Sequence, residues 1–116
     1  MHLKRGIRPG VPDVVRDSSF PQYAYGVLQA AWLARSLDLS AVSVLELGVA
    51  GGNGLLELER LAETIGTEWG VRIATVGFDL GSGMPAPVDH RDMPYIWQQG
   101  FFTMDEARLR SRLRSS

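Results

Sequence analysis

The sequence predicts an α/β fold, a doubly wound parallel sheet of which this chain carries an incomplete part, a leading helix and one βαβ unit. Three observations predict it. An apolar run at Val42–Leu47 passes without pause into the glycine-rich turn Gly48–Gly54. A helical pattern follows at once, with Leu58, Leu61, Ala62 and Ile65 at i, i+3, i+4 and i+7. A second β-rich apolar segment, Val71–Phe78, comes after a short turn. Strand, helix and strand of these lengths form a βαβ unit, whose two strands lie parallel under a right-handed crossover.

The elements are justified in chain order. Residues 1–17 hold Gly6, Pro9, Gly10 and Pro12 among mixed charges and read as an extended N-terminal arm; residues 18–116 form the domain. Ser18, Ser19 and Pro21 supply helix-start chemistry, since hydroxyls accept orphan N–H groups and proline pre-sets φ. Ala24, Val27, Leu28, Ala31 and Trp32 then mark one apolar face reaching to about Leu37. Trp32 belongs to that apolar stripe and is assigned to the core. Asp38–Ser40 end the helix.

The first strand is almost continuously apolar, which suits a parallel strand covered on both faces in a three-layer arrangement. Glu46 interrupts it. A carboxylate near the end of a buried strand is costly unless satisfied, and backbone N–H groups or a cationic ligand group at the turn are its expected partners. The following helix begins at Gly52–Asn53 and runs to Ile65, with Gly66 as its cap. Glu57, Glu59, Arg60 and Glu63 occupy its solvated faces.

Beyond Asp79 the pattern breaks into a long loop to about Gly100, carrying Gly81, Gly83, Pro85, Pro87 and Pro94. Loops of that length are uncommon unless functional. Tyr95, Trp97, Phe101 and Phe102 are expected to pin it to the domain. Thr103 to Glu106 reads as a capping box opening a short helix, Ala107–Leu113. Its arginines, Arg108, Arg110, Arg112 and Arg114, complement the helix dipole.

With 12 basic and 13 acidic residues in 116, the formal charge is −1, and no electrostatic signal for nucleic acid or a membrane surface exists. Cysteine is absent, which excludes disulfides and thiolate metal sites. The opening stretch lacks the apolar core of a signal peptide. A cytoplasmic protein is the default. Asp89-His90-Arg91-Asp92 offers two carboxylates and an imidazole but no regular ligand spacing, so no metal site is assigned.

The chemistry is expected where the parallel strands end together, because ligands of open α/β sheets bind in that crevice. ELGVAGGNG followed by VGFDLGSG resembles the class I S-adenosylmethionine-dependent methyltransferases, with a Rossmann-like fold. Glu46, Gly48, Ala50 and Gly52 fill the register of that family's first motif, with Ala50 departing from its usual middle glycine. The resemblance covers roughly Tyr23 to Asp79. It implies S-adenosylmethionine as cofactor and methyl donor, with Glu46, Gly48, Ala50, Gly51, Gly52, Asp79 and Leu80 as binding residues. Asp79 would hold the ribose. Catalytic residues and the methyl acceptor are not implied.

A nicotinamide or flavin dinucleotide fold is the nearest alternative, but G-x-G-x-x-G fails in both registers: from Gly48 it meets Ala50 and Asn53, and from Gly52 it meets Glu57. A non-catalytic binding or interaction module is the other. Two strands are fewer than the roughly five to seven of an open doubly wound sheet. The chain is therefore expected to be a fragment, a truncated reading frame or half of an assembly, with a sheet edge open to self-association.

Overall fold

The computed structural model describes residues 13–114, so the expectations for residues 1–12 lie outside it. In chain order the elements are α1 (Asp13–Arg16), α2 (Pro21–Ser36), β1 (Ala41–Leu47), α3 (Asn53–Trp69), β2 (Arg72–Phe78), a 3-10 turn (His90–Asp92) and α4 (Glu106–Arg110). β1 and β2 pair in parallel, from Ala41 opposite Arg72 to Leu47 opposite Phe78. Among the described residues the fold is mixed α/β on a two-stranded parallel sheet, as the βαβ pattern predicts.

The core lies between α2 and α3. Ala24, Val27, Leu28 and Ala31 meet Leu58, Leu61 and Ile65, while Val44 and Ile73 reach in from the sheet. Each large aliphatic side chain buried there contributes about 1.5–3 kcal/mol. Val15 joins this cluster. Residues 13–16 are thus a short packed helix and not an extended lead-in. Trp32 is half-buried, with its indole Nε1 enclosed.

Helix ends differ from expectation for physical reasons. α2 opens with Pro21, but its N-cap is Phe20, without a side-chain cap. Ser18 accepts the Phe20 N–H at 3.1 Å and donates to Glu57 Oε1 at 2.5 Å, tying the start of α2 to α3. Glu57 also receives Arg60 through two guanidinium N–H groups and is half-buried, not freely solvated. α3 runs past Gly66, which is buried inside it where a Cβ would stand 2.7 Å from the Val71 carbonyl oxygen. The stop is Gly70, at φ +63°. The capping box is shifted as well: Asp105 caps α4 by accepting the Arg108 N–H at 3.0 Å, and the helix ends at Arg110.

One face of the sheet is open. Val42, Val44 and Glu46 point toward the helices, while Ser43, Leu45 and Leu47 with Ala74, Val76 and Phe78 form an exposed opposite face. The three-layer expectation is corrected accordingly. An apolar strand pattern states that both faces prefer cover, not that the same stretch of chain supplies it. No helix among the described residues is long and apolar enough to cross a membrane.

Candidate functional site

β1 and β2 end side by side, with the Gly48 N–H donating to the Phe78 carbonyl oxygen at 2.8 Å. The chain then turns sharply through Gly48 (φ +88°), Ala50 (φ +49°) and Gly52 (φ +83°) before α3 begins. Asp79 holds this turn from the neighbouring strand end. Its Oδ2 accepts the Val49 N–H at 2.8 Å and the Ala50 N–H at 2.9 Å, and its Oδ1 accepts the Gly81 N–H at 2.7 Å. These bonds, the one from Ala50 foremost, hold its carboxyl below the usual carboxylate range.

Beside the turn lies a cleft of about 610 Å³, lined by Gly48, Ala50, Phe78, Asp79, Leu80, Gly83, Met84 and Phe102. That volume is ordinary for a small-molecule site, and the lining is apolar with one charged group, as such sites are. Ala50 and Phe102 (φ +62°) are non-glycine residues in the left-handed region on its wall. Backbone strain of this kind clusters at functional sites.

Met84 and Phe102 reach the cleft because the long loop closes on itself. The Met84 N–H donates to the Phe101 carbonyl at 2.7 Å, the Gly100 N–H to the Met84 carbonyl at 2.9 Å, and the Met104 N–H to the Gly81 carbonyl at 3.1 Å. Gly83 fits this neck because a Cβ would meet the Phe101 carbonyl oxygen at 2.6 Å. Trp97 packs on Phe102 with ring centroids 5.6 Å apart, a contact inside the loop segment itself, while Tyr95 is exposed. Beyond Leu80, sequence inspection placed no loop residue in the cleft. Gly81, Gly83 and Gly100, all at positive φ, were the available sign of a closed neck.

Of the sequence-derived site residues, Gly48, Ala50, Asp79 and Leu80 line the cleft. Gly51 is exposed on the turn. Gly52 is buried under Leu109 of α4, where a Cβ would collide with the leucine side chain. Glu46 faces away from the cleft. Strand alternation turns it to the helix side, where its Oε1 accepts the Tyr23 hydroxyl at 2.8 Å while Oε2 is buried without a partner. Desolvation holds its carboxyl above the usual range, against the Tyr23 hydrogen bond. The expected backbone or ligand partner is thus replaced by a tyrosine.

The Asp89–Asp92 cluster satisfies itself. Asp89 accepts both the backbone and guanidinium N–H groups of Arg91, and Asp92 accepts the Val88 N–H at 2.8 Å. Among the described residues no group of three or more histidine or carboxylate side chains is arranged to hold a metal. No family model, curated protein or solved structure matches the chain.

Proposed function

We propose that the cleft binds S-adenosylmethionine and that the chain is the cofactor-binding part of a cytoplasmic, Rossmann-like methyltransferase. The observation that carries this is Asp79, a charged carboxylate at the end of β2 fastened to the glycine turn at the end of β1. A carboxylate has about four acceptor positions. Backbone N–H groups take three of them here, two on Oδ2 and one on Oδ1. The remaining position on Oδ1 suits a ribose hydroxyl.

The other lining residues fit the same ligand. Phe78, Leu80, Met84 and Phe102 give the apolar walls that a purine base requires. Gly48 leaves open space where a side chain would stand. The cofactor, when bound, supplies an electrophilic methyl on a sulfonium centre. The chain's own contribution is to bind and orient the donor and to shield its base from water.

Calorimetric titration with S-adenosylmethionine, S-adenosylhomocysteine and NADH tests the assignment. Binding of the two adenosyl ligands without NADH is expected. Preferential NADH binding would move the cleft to the dinucleotide class, and no binding by any of the three would remove the assignment.

A further inference from the structure

Phe102 stands where neither the backbone nor the core calls for an aromatic residue. Its φ of +62° lies in the left-handed region, where a Cβ is crowded and glycine alone is free of the cost. At the other positive-φ positions of the loop neck the chain places Gly81, Gly83 and Gly100. Position 102 keeps a large side chain instead, and the residue is 56% exposed, so burial in a core does not account for it.

The conformation is fixed from both sides. Just before it, the Phe101 carbonyl accepts the Met84 N–H at 2.7 Å, and two residues after it the Met104 N–H donates to the Gly81 carbonyl at 3.1 Å. Strained conformations persist where the surroundings over-determine them in this way. The ring is held as well. Trp97 packs on it with the ring planes inclined by 52°, and Phe101 meets it edge-on with centroids 6.2 Å apart. Phe102 lines the cleft, whereas Trp97 does not. Phe78, the other aromatic lining residue, lies in the regular strand β2, where ordinary alternation places it.

We propose that Phe102 is the stacking platform of the cleft, against which the planar base of the ligand lies, and that Trp97 is a positioning residue that acts through it. The proposal rests on the reading of the cleft as an adenosyl site and names the residue that selects for the base. Every base has a π-face, and aromatic pairs gain beyond the area they bury. A ring already held by its neighbours spares the complex the entropy of ordering it. That gain explains why the strained position carries phenylalanine and not glycine.

Calorimetric titration with S-adenosylhomocysteine and thermal melts of the ligand-free chains test the proposal on one set of variants. Phe102→Ala, Phe102→Gly and Phe102→Leu are each expected to weaken binding about tenfold, the order of a lost base–aromatic stack, with Phe102→Tyr retaining it. The leucine variant keeps an apolar wall and so isolates the aromatic contribution. Without ligand, Phe102→Gly should melt above Phe102→Ala, the reverse of their order in regular structure, because glycine is unstrained at this φ. Trp97→Ala should weaken binding alone but add nothing to Phe102→Ala, a coupling that a general loss of stability would not give. Phe102→Leu binding as tightly as the wild type, or Trp97→Ala adding its full effect to Phe102→Ala, would overturn the proposal with the adenosyl reading intact. An alanine variant melting at or above the glycine variant would remove the strained presentation on which it stands. A wild type that binds no adenosyl ligand would remove the reading of the cleft, and this proposal with it.

Discussion

The hydroxyl of Tyr23 donates to Oε1 of Glu46 at 2.8 Å, so a residue of the first turns of α2 holds the buried acid at the end of β1. Removing one partner of a buried hydrogen bond costs more than the bond itself contributes, because the other group is left unsatisfied. Tyr23→Phe is expected to destabilise the chain by about 1–3 kcal/mol. Glu46 is held above its usual carboxyl range, so the folded chain binds that proton more tightly than the unfolded one. Stability from this group is full below the ordinary carboxylate range and is lost as pH rises through the raised folded value. The Tyr23→Phe deficit should accordingly be smaller in acid than at neutral pH, as measured by urea unfolding at both. An equal deficit would show that the acid does not sense the tyrosine.

Asp79 runs the other way. Its carboxyl is held below the usual range, so its contribution is full at neutral pH and is lost as pH falls through the depressed folded value. Asp79→Ala is expected to weaken adenosyl-ligand binding about 10- to 100-fold, corresponding to about 1.5–3 kcal/mol for hydrogen bonds to a charged acceptor. Asp89→Ala, in a self-satisfied turn, should leave affinity unchanged. Calorimetry on both variants makes the comparison, and equal, negligible effects would take Asp79 out of the site.

Two glycines on helices should respond oppositely to alanine. Gly26 of α2 is exposed with nothing within 4 Å of an added Cβ, so Gly26→Ala should stabilise by roughly 0.5–1 kcal/mol through helix propensity. Gly54 opens α3 against the Glu46 carboxylate, where a Cβ would collide with Oε1 and approach the Tyr23 ring at 3.0 Å. Gly54→Ala should destabilise by about 1–3 kcal/mol, the usual cost of overpacking. Thermal melts of the two variants, moving in opposite directions from the wild type, check both.

No methyl-transfer turnover is expected from this chain alone. Alignment of an acceptor in line with the methyl supplies much of such a reaction's acceleration. Among the residues lining the cleft, Asp79 is the one that titrates below neutrality, and its low carboxyl pKa makes it a weak base. Incubation with radiolabelled S-adenosylmethionine and a broad acceptor panel measures this. Label transfer exceeding the amount of protein, and abolished by Asp79→Ala, would overturn the expectation.

The βαβ unit was legible because both of its signals are local. The strand pattern of Val42–Leu47 predicts β1 to within one residue, and the helical spacing of Leu58, Leu61 and Ile65 predicts α3 and its buried face. The meeting of Asp79 with the glycine turn followed from parallel strands ending at one edge. What escaped depended on contacts distant in sequence. Gly66 carries the sign of a cap, yet its missing side chain serves the crossing of Val71. Ser18 looks like an N-cap, yet Glu57, 39 residues away, is the stronger draw for its hydroxyl. Glu46 could not be oriented by its glycine neighbours, since strand alternation, not the turn, sets which way it points.

The hydrogen-bonded neck at Met84, Gly100 and Phe101 gives the segment between its ends a particular freedom. Because the neck closes the segment on itself, the sheet does not sense how many residues lie beyond it. Loop-closure entropy grows only slowly with length, by about 0.6 kcal/mol per doubling. Residues 85–99 are thus an exchangeable cassette on a fixed mount. Insertions or deletions there that keep Trp97 against Phe102 would leave β1, β2, the cleft walls and the Asp79 latch in their places, so the length of this segment can drift without the sheet being refolded.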